Sequence, residues 1–300
     1  MKRFIKDVIL FLLGLLILNL GIFAVIAPLV GKDDYVEKTR AELPGAHGIV
    51  LADSHGTRLD EAQLRAAGIA NLSTGSDSYA DMLNKLRYAL SQQRIDLVVV
   101  SADGHTLSKY REYTNNLEKS SLLVGEGKFA AVVHRYFPLV DPKGRDLFKA
   151  SVIAKLGRLF ERSRPADKAG AGPAEPSFAW KDKPNRKALA ARRAETQFAF
   201  GEPSPALRKT LLTIVAECRA AGVRVVGLRF PLAGDYLDEI KGKDYGAAQV
   251  LLDAGVPVLD HEELYRGRDE LFEDQDHLNP AGGAAFTRLV LEELGAGGQP

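Results

Sequence analysis

Five short apolar runs, each ended by turn residues and separated by longer stretches of helical spacing, constrain this chain more than any other feature. His47–Asp53, Ile95–Val100, Val223–Phe230 and Val256–Asp260 are four of them, and the short Ile69–Ser73 is the fifth. Runs of this length that stay apolar instead of alternating suit strands covered on both faces. Between them, Tyr79–Gln92 places Met82, Leu83, Leu86 and Leu90 on one helical face. Ser204–Ala221 and Tyr236–Ala254 also read as helices, and Asn279–Leu294 closes the chain as an amphipathic helix with Pro280 in its first turn. Strands alternating with helices predict an α/β fold: a mostly parallel five-stranded sheet in a three-layer α/β/α sandwich.

Two regions break the pattern. Leu147–Phe160 has helical spacing, but the segment 162–187 that follows is rich in Pro, Ala, Gly and charge. It reads as a flexible excursion from one domain and not as a second domain. Its basic residues and Trp180 offer a contact for an anionic polymer, although a solvated loop is the plainer reading. At the other end, Lys2, Arg3 and Lys6 precede an uncharged apolar run from Val8 to Val30. A bilayer needs about 20 such residues. The basic flank puts the N-terminus in the cytoplasm and the chain after Lys32 outside. A cleaved signal peptide has a shorter apolar core, of about 7–15 residues, so an uncleaved transmembrane anchor over 1–31 is expected. A polar tether then spans 32–46 and a single domain 47–300.

Composition excludes several classes. At 300 residues the chain can bury a substantial core, and a net charge of +1 argues against a general nucleic-acid binder. The single cysteine, Cys218, permits no intrachain disulfide and sits in an apolar-periodic stretch as a small buried hydrophobe. No His-Glu-x-x-His, Cys-x-x-Cys or acidic loop suggests a metal, and no cofactor is expected. His47, His134 and His261 stand isolated, and Asn71-Leu72-Ser73 is a sequon of the kind that arises often by chance.

In open parallel sheets, functional residues gather beyond the carboxyl ends of strands. Asp53-Ser54 follows the first strand, Ser101–His105 the third, Phe230–Asp235 the fourth, and Asp274–His277 lies beyond the fifth. Ser54 needs a base, because a free hydroxyl is almost never ionised at neutral pH. His277 can supply one, with Asp274 three residues earlier to fix its tautomer and stabilise the imidazolium. Each piece alone has a plainer explanation, Asp-Ser as a helix cap and Asp-x-x-His as a solvated loop. Found together at opposite ends of an α/β chain, they favour nucleophilic catalysis. His55 either lines this site or is structural, and Arg229, Tyr236 and Tyr110 read as rim residues.

These residues resemble the SGNH (GDSL) hydrolase superfamily, whose domain is flavodoxin-like. The likeness is carried by Ala52-Asp53-Ser54-His55, by the stretch from Asn71 through Gly75-Ser76 to Tyr79, and by Asp274-Gln275-Asp276-His277-Leu278-Asn279-Pro280-Ala281-Gly282. The chain is especially similar to membrane-anchored SGNH-like proteins that accompany O-acylation of bacterial envelope polymers. The resemblance implies Ser54 as nucleophile, His277 as base and Asp274 as its partner. It further implies an oxyanion hole from the backbone N–H groups of Ser54 and Gly75, with Asp53 beside the nucleophile. Two departures stand out: Ala52 replaces a glycine, and Ser101-Ala102-Asp103-Gly104-His105 stands where a Gly-x-Asn-Asp block is usual. The asparagine that completes the oxyanion hole is therefore missing, and either His105 or Asn71 is a substitute donor.

The expected activity is acyl-ester chemistry, acetyl transfer or removal on an exopolysaccharide or cell-wall polymer. It would take place in the periplasm, from the inner membrane, beside a membrane-bound O-acyltransferase or polysaccharide synthesis complex. The rivals are a small-ester esterase or lipase, and a degenerate scaffold that binds polymer without turnover.

Overall fold

The computed structural model describes residues 2–26, 34–124 and 179–296. The chain divides into two compact units, one of residues 1–34 and 125–175, the other of 35–124 and 176–300. Within the first, a single helix is described, α1 (Lys2–Ile26), whose side chains are described as far as Asn19. Over that stretch Phe4, Ile9, Phe11, Ile17 and Leu18 all lie exposed. Among the described residues, no helix is long and apolar enough to cross a membrane. The helix expected at Leu147–Phe160 and the larger part of the excursion, 162–178, lie outside the described residues.

The second unit is an α/β domain. Its strands are β1 (Gly48–Leu51), β2 (Ile69–Asn71), β3 (Leu97–Ser101), β4 (Arg224–Arg229) and β5 (Val258–Asp260). They form one sheet in the order β2-β1-β3-β4-β5, every neighbouring pair parallel. Register pairs Val50 with Asn71 and with Val99, and Val99 with Val226. The helices are α2 (Asp34–Glu42), α3 (Glu61–Ala66), α4 (Tyr79–Gln92), α5 (Leu117–Val124) and α6 (Arg186–Gln197). They continue with α7 (Pro205–Ala220), α8 (Gly234–Glu239), α9 (Ala247–Asp253) and α10 (Pro280–Ala296).

Successive strand residues feed opposite faces, and the core splits accordingly. Ile49, Leu51, Val98, Val100 and Val225 pack with Leu86 of α4, Leu211 and Ile214 of α7 and Leu251 of α9. Val50, Val99, Val226 and Leu228 point the other way, onto Leu64 of α3 and Phe286 and Val290 of α10. This is the three-layer sandwich that the alternation predicts, and covering both faces is what makes the strands read as unbroken apolar runs. In this strand order the crevice between β1 and β3 is where the chain's winding reverses, and ligands bind there outside the carboxyl ends.

The structure differs from the sequence reading at three places. The stretch taken as a tether holds α2, with Tyr35, Val36 and Leu43 buried; its apolar residues are too few for the sequence to show a stripe, yet they pack. The end of the supposed excursion is likewise part of the fold. Trp180 is fully buried against the α3/α10 side of the sheet, so it is no polymer contact, and α6 begins at Arg186. The helix expected over Tyr236–Ala254 is two, α8 and α9, parted by a glycine-containing turn in which Gly242 and Gly246 take φ of 76° and 79°. Between β1 and β2 the strand–helix alternation holds: the polar stretch before Ala67 contains α3, capped by Asp60 accepting from Gln63 N–H.

Candidate active site

Ser54 leaves β1 in a tight turn. The turn closes because Thr57 Oγ1 donates to Ser54 O at 2.7 Å and because position 56 is glycine. A Cβ at Gly56 would stand 2.3 Å from Ser73 Oγ and 2.6 Å from Ala52 Cβ, so only glycine lets this turn approach the loop after β2. From the far end of the chain, the loop between residues 272 and 278 delivers the histidine. An isolated antiparallel bridge joins Phe272 to Leu278, and Glu273 N–H donates to His277 O at 2.9 Å. Asp274 Oδ1 accepts from the N–H groups of Asp276 and His277, at 3.0 and 2.8 Å.

The outcome is a continuous chain of contacts. His277 Nε2 lies 2.8 Å from Ser54 Oγ, and His277 Nδ1 lies 2.9 Å from both carboxylate oxygens of Asp274. With Nδ1–H held by the carboxylate, Nε2 carries the lone pair that faces the serine hydroxyl. Residues 223 positions apart thus meet, and the arrangement has the geometry for transferring a proton from Ser54 Oγ as it attacks a carbonyl.

Gly75 sits opposite. A Cβ built on Gly75 would stand 3.8 Å from Ser54 Cβ, which places the glycine beside the serine. It belongs to a turn closed by Asp77 N–H donating to Thr74 O at 3.1 Å, with Ser76 in the left-handed region at φ 70°. Among the described residues no hydrogen bond occupies the backbone N–H of Ser54 or of Gly75, so both remain available to an oxyanion. Several side chains fix this loop. Asn116 Nδ2 donates to Gly75 O and to Asp77 Oδ1, each at 2.8 Å. Lys85, fully buried, reaches Leu72 O, Thr74 Oγ1 and Asp77, and Tyr35 of α2 donates to Asp77 Oδ1 at 3.0 Å.

The other expected site residues go elsewhere. Asn71 Nδ2 donates to Gly56 O at 2.9 Å, and its sequon is buried. His105 Nε2 lies 3.0 Å from Asp53 and also beside Arg111. Both side chains are thus engaged by other groups of the protein. Asp53 is wholly buried and accepts from His55 N–H, His105 and Arg111, so it holds the turn and cannot touch a substrate. Tyr236 is no rim residue either: it is buried and donates to Gln197 Oε1. His261 pairs with Glu293 away from the triad, and burial pushes the Cys218 thiol up to about 12.

Beneath the triad lies a layer of buried charge that sequence reasoning missed. His55 Nδ1 lies 2.9 Å from Asp103 Oδ2, and its Nε2 lies 3.3 Å from Asp276 Oδ2. Burial alone would lower its affinity for a proton, but the two carboxylates outweigh it and hold His55 at about 9. Asp103 and Asp276 are correspondingly kept below the usual carboxylate range, against the upward push of burial. His105 behaves oppositely: burial, then the nearby His55 charge, drive it down to about 3. Asp276 also accepts from Arg193 Nε at 2.7 Å and Gln197 Nε2 at 3.0 Å, both from α6. The signal available in the sequence was the spacing of Ala190, Ala194 and Gln197, which puts one buried face on a helix otherwise rich in arginine.

Two groups have spacing a metal could use: Asp53, His55 and His105, and His55, Asp276 and His277. In the first Arg111 lies on the carboxylate, and in the second Arg193 does. A guanidinium in each place balances the charge a metal ion would balance.

Fold and site together define an α/β domain with a serine, a histidine and an aspartate joined at the carboxyl edge of a parallel sheet. No protein-family model matches the chain, and no curated protein matches it. Among solved structures, one that matches is a protein from Bacteroides fragilis described as a "putative acylhydrolase", 11% identical, with a TM-score of 0.42 over 89% of this chain and 97% of that chain. A likeness that distant carries no argument about activity.

Proposed function

We propose that this protein is a serine-dependent acyl-ester enzyme of the SGNH type. The observation that carries the reading is the Asp274–His277–Ser54 chain, with Nε2 2.8 Å from the serine oxygen. His277 takes the proton as Ser54 Oγ attacks the ester carbonyl, and the Ser54 and Gly75 N–H groups receive the oxyanion. Collapse expels the alcohol, which takes the proton from His277 and leaves an acyl-serine. A second hydroxyl, from a sugar or from water, gives its proton to His277 as it attacks the acyl-serine; the acyl–Oγ bond breaks, and His277 returns the proton to Ser54 Oγ as the acyl group leaves on the acceptor.

The acceptor we propose is an exopolysaccharide or cell-wall polymer, and the acyl group is acetyl. The resemblance of Ala52–His55 and Asp274–Gly282 to proteins of envelope-polymer O-acylation supports this, and so does the uncharged apolar run that begins at Val8. On this reading the N-terminal segment 1–31, with its apolar run from Val8 to Val30, is an inner-membrane anchor, the domain faces the periplasm, and a membrane-bound acyltransferase works beside it. A catalytically silent, polymer-binding scaffold is the second reading. The commitment of Asn71 and His105 to other partners favours it, since it leaves the hole with backbone donors.

The test uses the full chain in detergent micelles. Wild type, Ser54→Ala and His277→Ala are compared for hydrolysis of a chromogenic acetyl ester and for covalent labelling by a serine-directed phosphonate. Label on Ser54, with both signals lost in the variants, supports the enzyme. A folded wild type that neither labels nor turns over refutes it and leaves the scaffold.

A further inference from the structure

Asp276 has no assigned role beside Ser54, His277 and Asp274, yet it is a fully enclosed charge next to them. Its side chain has no solvent exposure, whereas that of Asp274 is 27% exposed. Its two oxygens face different ways. Oδ2 is occupied by His55 Nε2, Arg193 Nε and Gln197 Nε2, while Oδ1 lies 3.4 Å from His277 Nδ1 and accepts from Gln275 Nε2 at 2.7 Å. The Nδ1 proton of His277 is already directed at Asp274. Oδ1 of Asp276 therefore acts on the ring by charge and not by a hydrogen bond.

From these positions we infer that Asp276 is a positioning residue for His277, a second and buried carboxylate that stabilises the imidazolium formed when Ser54 gives up its proton. The inference rests on the proposed roles of Ser54 and His277. It deepens that reading by giving α6 a purpose. Arg193 and Gln197 hold Asp276 from behind, so the helix carries the second half of the histidine's electrostatic seat.

The physical need is visible in the neighbours of His277. Its ring meets the His55 ring edge-on, with centroids 5.4 Å apart and planes at 85°. His55 is itself held between Asp103 and Asp276 as a cation. A second imidazolium beside it would be disfavoured by like charge, most strongly where water is excluded. Asp274 alone is partly screened by solvent, and the enclosed charge of Asp276 lies between the two rings, where it offsets their repulsion. Farther groups that feel this carboxylate are His105, Tyr110, Arg111 and Tyr236.

The experiment reads His277 directly and does not depend on turnover. The full chain, labelled with ¹⁵N-histidine and held in detergent micelles, is titrated by NMR, and His277 is assigned from the signal lost in His277→Gln. In Asp276→Asn the titration midpoint of His277 is expected to fall. In Arg193→Gln, which leaves Asp276 charged but less compensated, the midpoint is expected to rise. Opposite signs from two neighbouring changes are not produced by a merely structural contact. Midpoints unmoved in Asp276→Asn, or moved the same way in both variants, overturn the inference. Should Asp276→Asn not fold, the rise in Arg193→Gln alone decides. A wild type that never labels at Ser54 refutes the proposed activity, whereas these midpoints report on Asp276 separately.

Discussion

Raising the pH from 6.5 to about 9.5 removes a defined share of this domain's stability through one residue, His55. Burial would depress its proton affinity, but Asp103 and Asp276 raise it to about 9 from an ordinary 6.5. A base whose folded value is raised stabilises the fold fully below the unfolded value and loses that contribution as pH climbs through the folded one. The shift corresponds to about 3 kcal/mol, at about 1.4 kcal/mol per pH unit on the steepest part. Against a typical total of about 5–15 kcal/mol, that is a large loss. Urea denaturation measured at half-unit steps would show it, with His55→Gln as the reference. The variant starts lower, because two carboxylates lose a cation, and its stability falls less steeply across this window. Equal slopes for wild type and variant would refute the claim that a buried imidazolium bridges Asp103 and Asp276. Below pH 6.5 the sign reverses through His105. Its folded value near 3 means that stability is present above the unfolded value and is lost as the solution becomes more acid.

Three further outcomes follow from contacts in the fold. Trp180→Ala empties a fully buried site against the sheet and is expected to cost about 3–5 kcal/mol by thermal or urea unfolding; a loss below about 1 would return Trp180 to a surface loop. Gly283→Ala places a Cβ 2.0 Å from the backbone oxygen of Arg58, which no rotamer can relieve, so a loss of about 3 kcal/mol or an unfolded product is expected on expression and melting. Asn116→Ala frees Gly75 O and Asp77 from their shared donor. Ester turnover is expected to fall about tenfold while the melting temperature moves little, and unchanged turnover would show that the turn holds its shape without it.

Much of the fold was legible because burial on both faces leaves a direct mark on a strand. Val98, Val99 and Val100 are apolar in succession, and each is buried against one helical layer or the other. The pairing of Ser54 with the Asp274–His277 loop was legible for a related reason. An α/β winding returns the end of every strand to one edge, so residues 223 positions apart have few other places to meet. Tyr35 and Trp180 show where this reasoning fails. Each is a single large side chain inside a polar stretch, with no periodicity to announce it, and only a cavity supplied by other segments makes it part of the core. The helix holding Arg193 was missed for the opposite reason, since the helical spacing of its buried face is carried by alanines and one glutamine, whose low hydropathy makes that spacing faint.

The sequence by itself determined the alternation of strand and helix, the parallel sheet, and the residue types brought to its carboxyl edge, because those depend on local spacing and on chain winding. Only the tertiary structure decided which charges lie beneath that edge. Asp53 turns inward to Arg111 and His105, His55 becomes a bridge between Asp103 and Asp276, and Asn71 is spent on Gly56. The partner of a buried ionisable group is chosen by geometry across four separate loops, and in a medium of low dielectric that choice sets which groups carry charge.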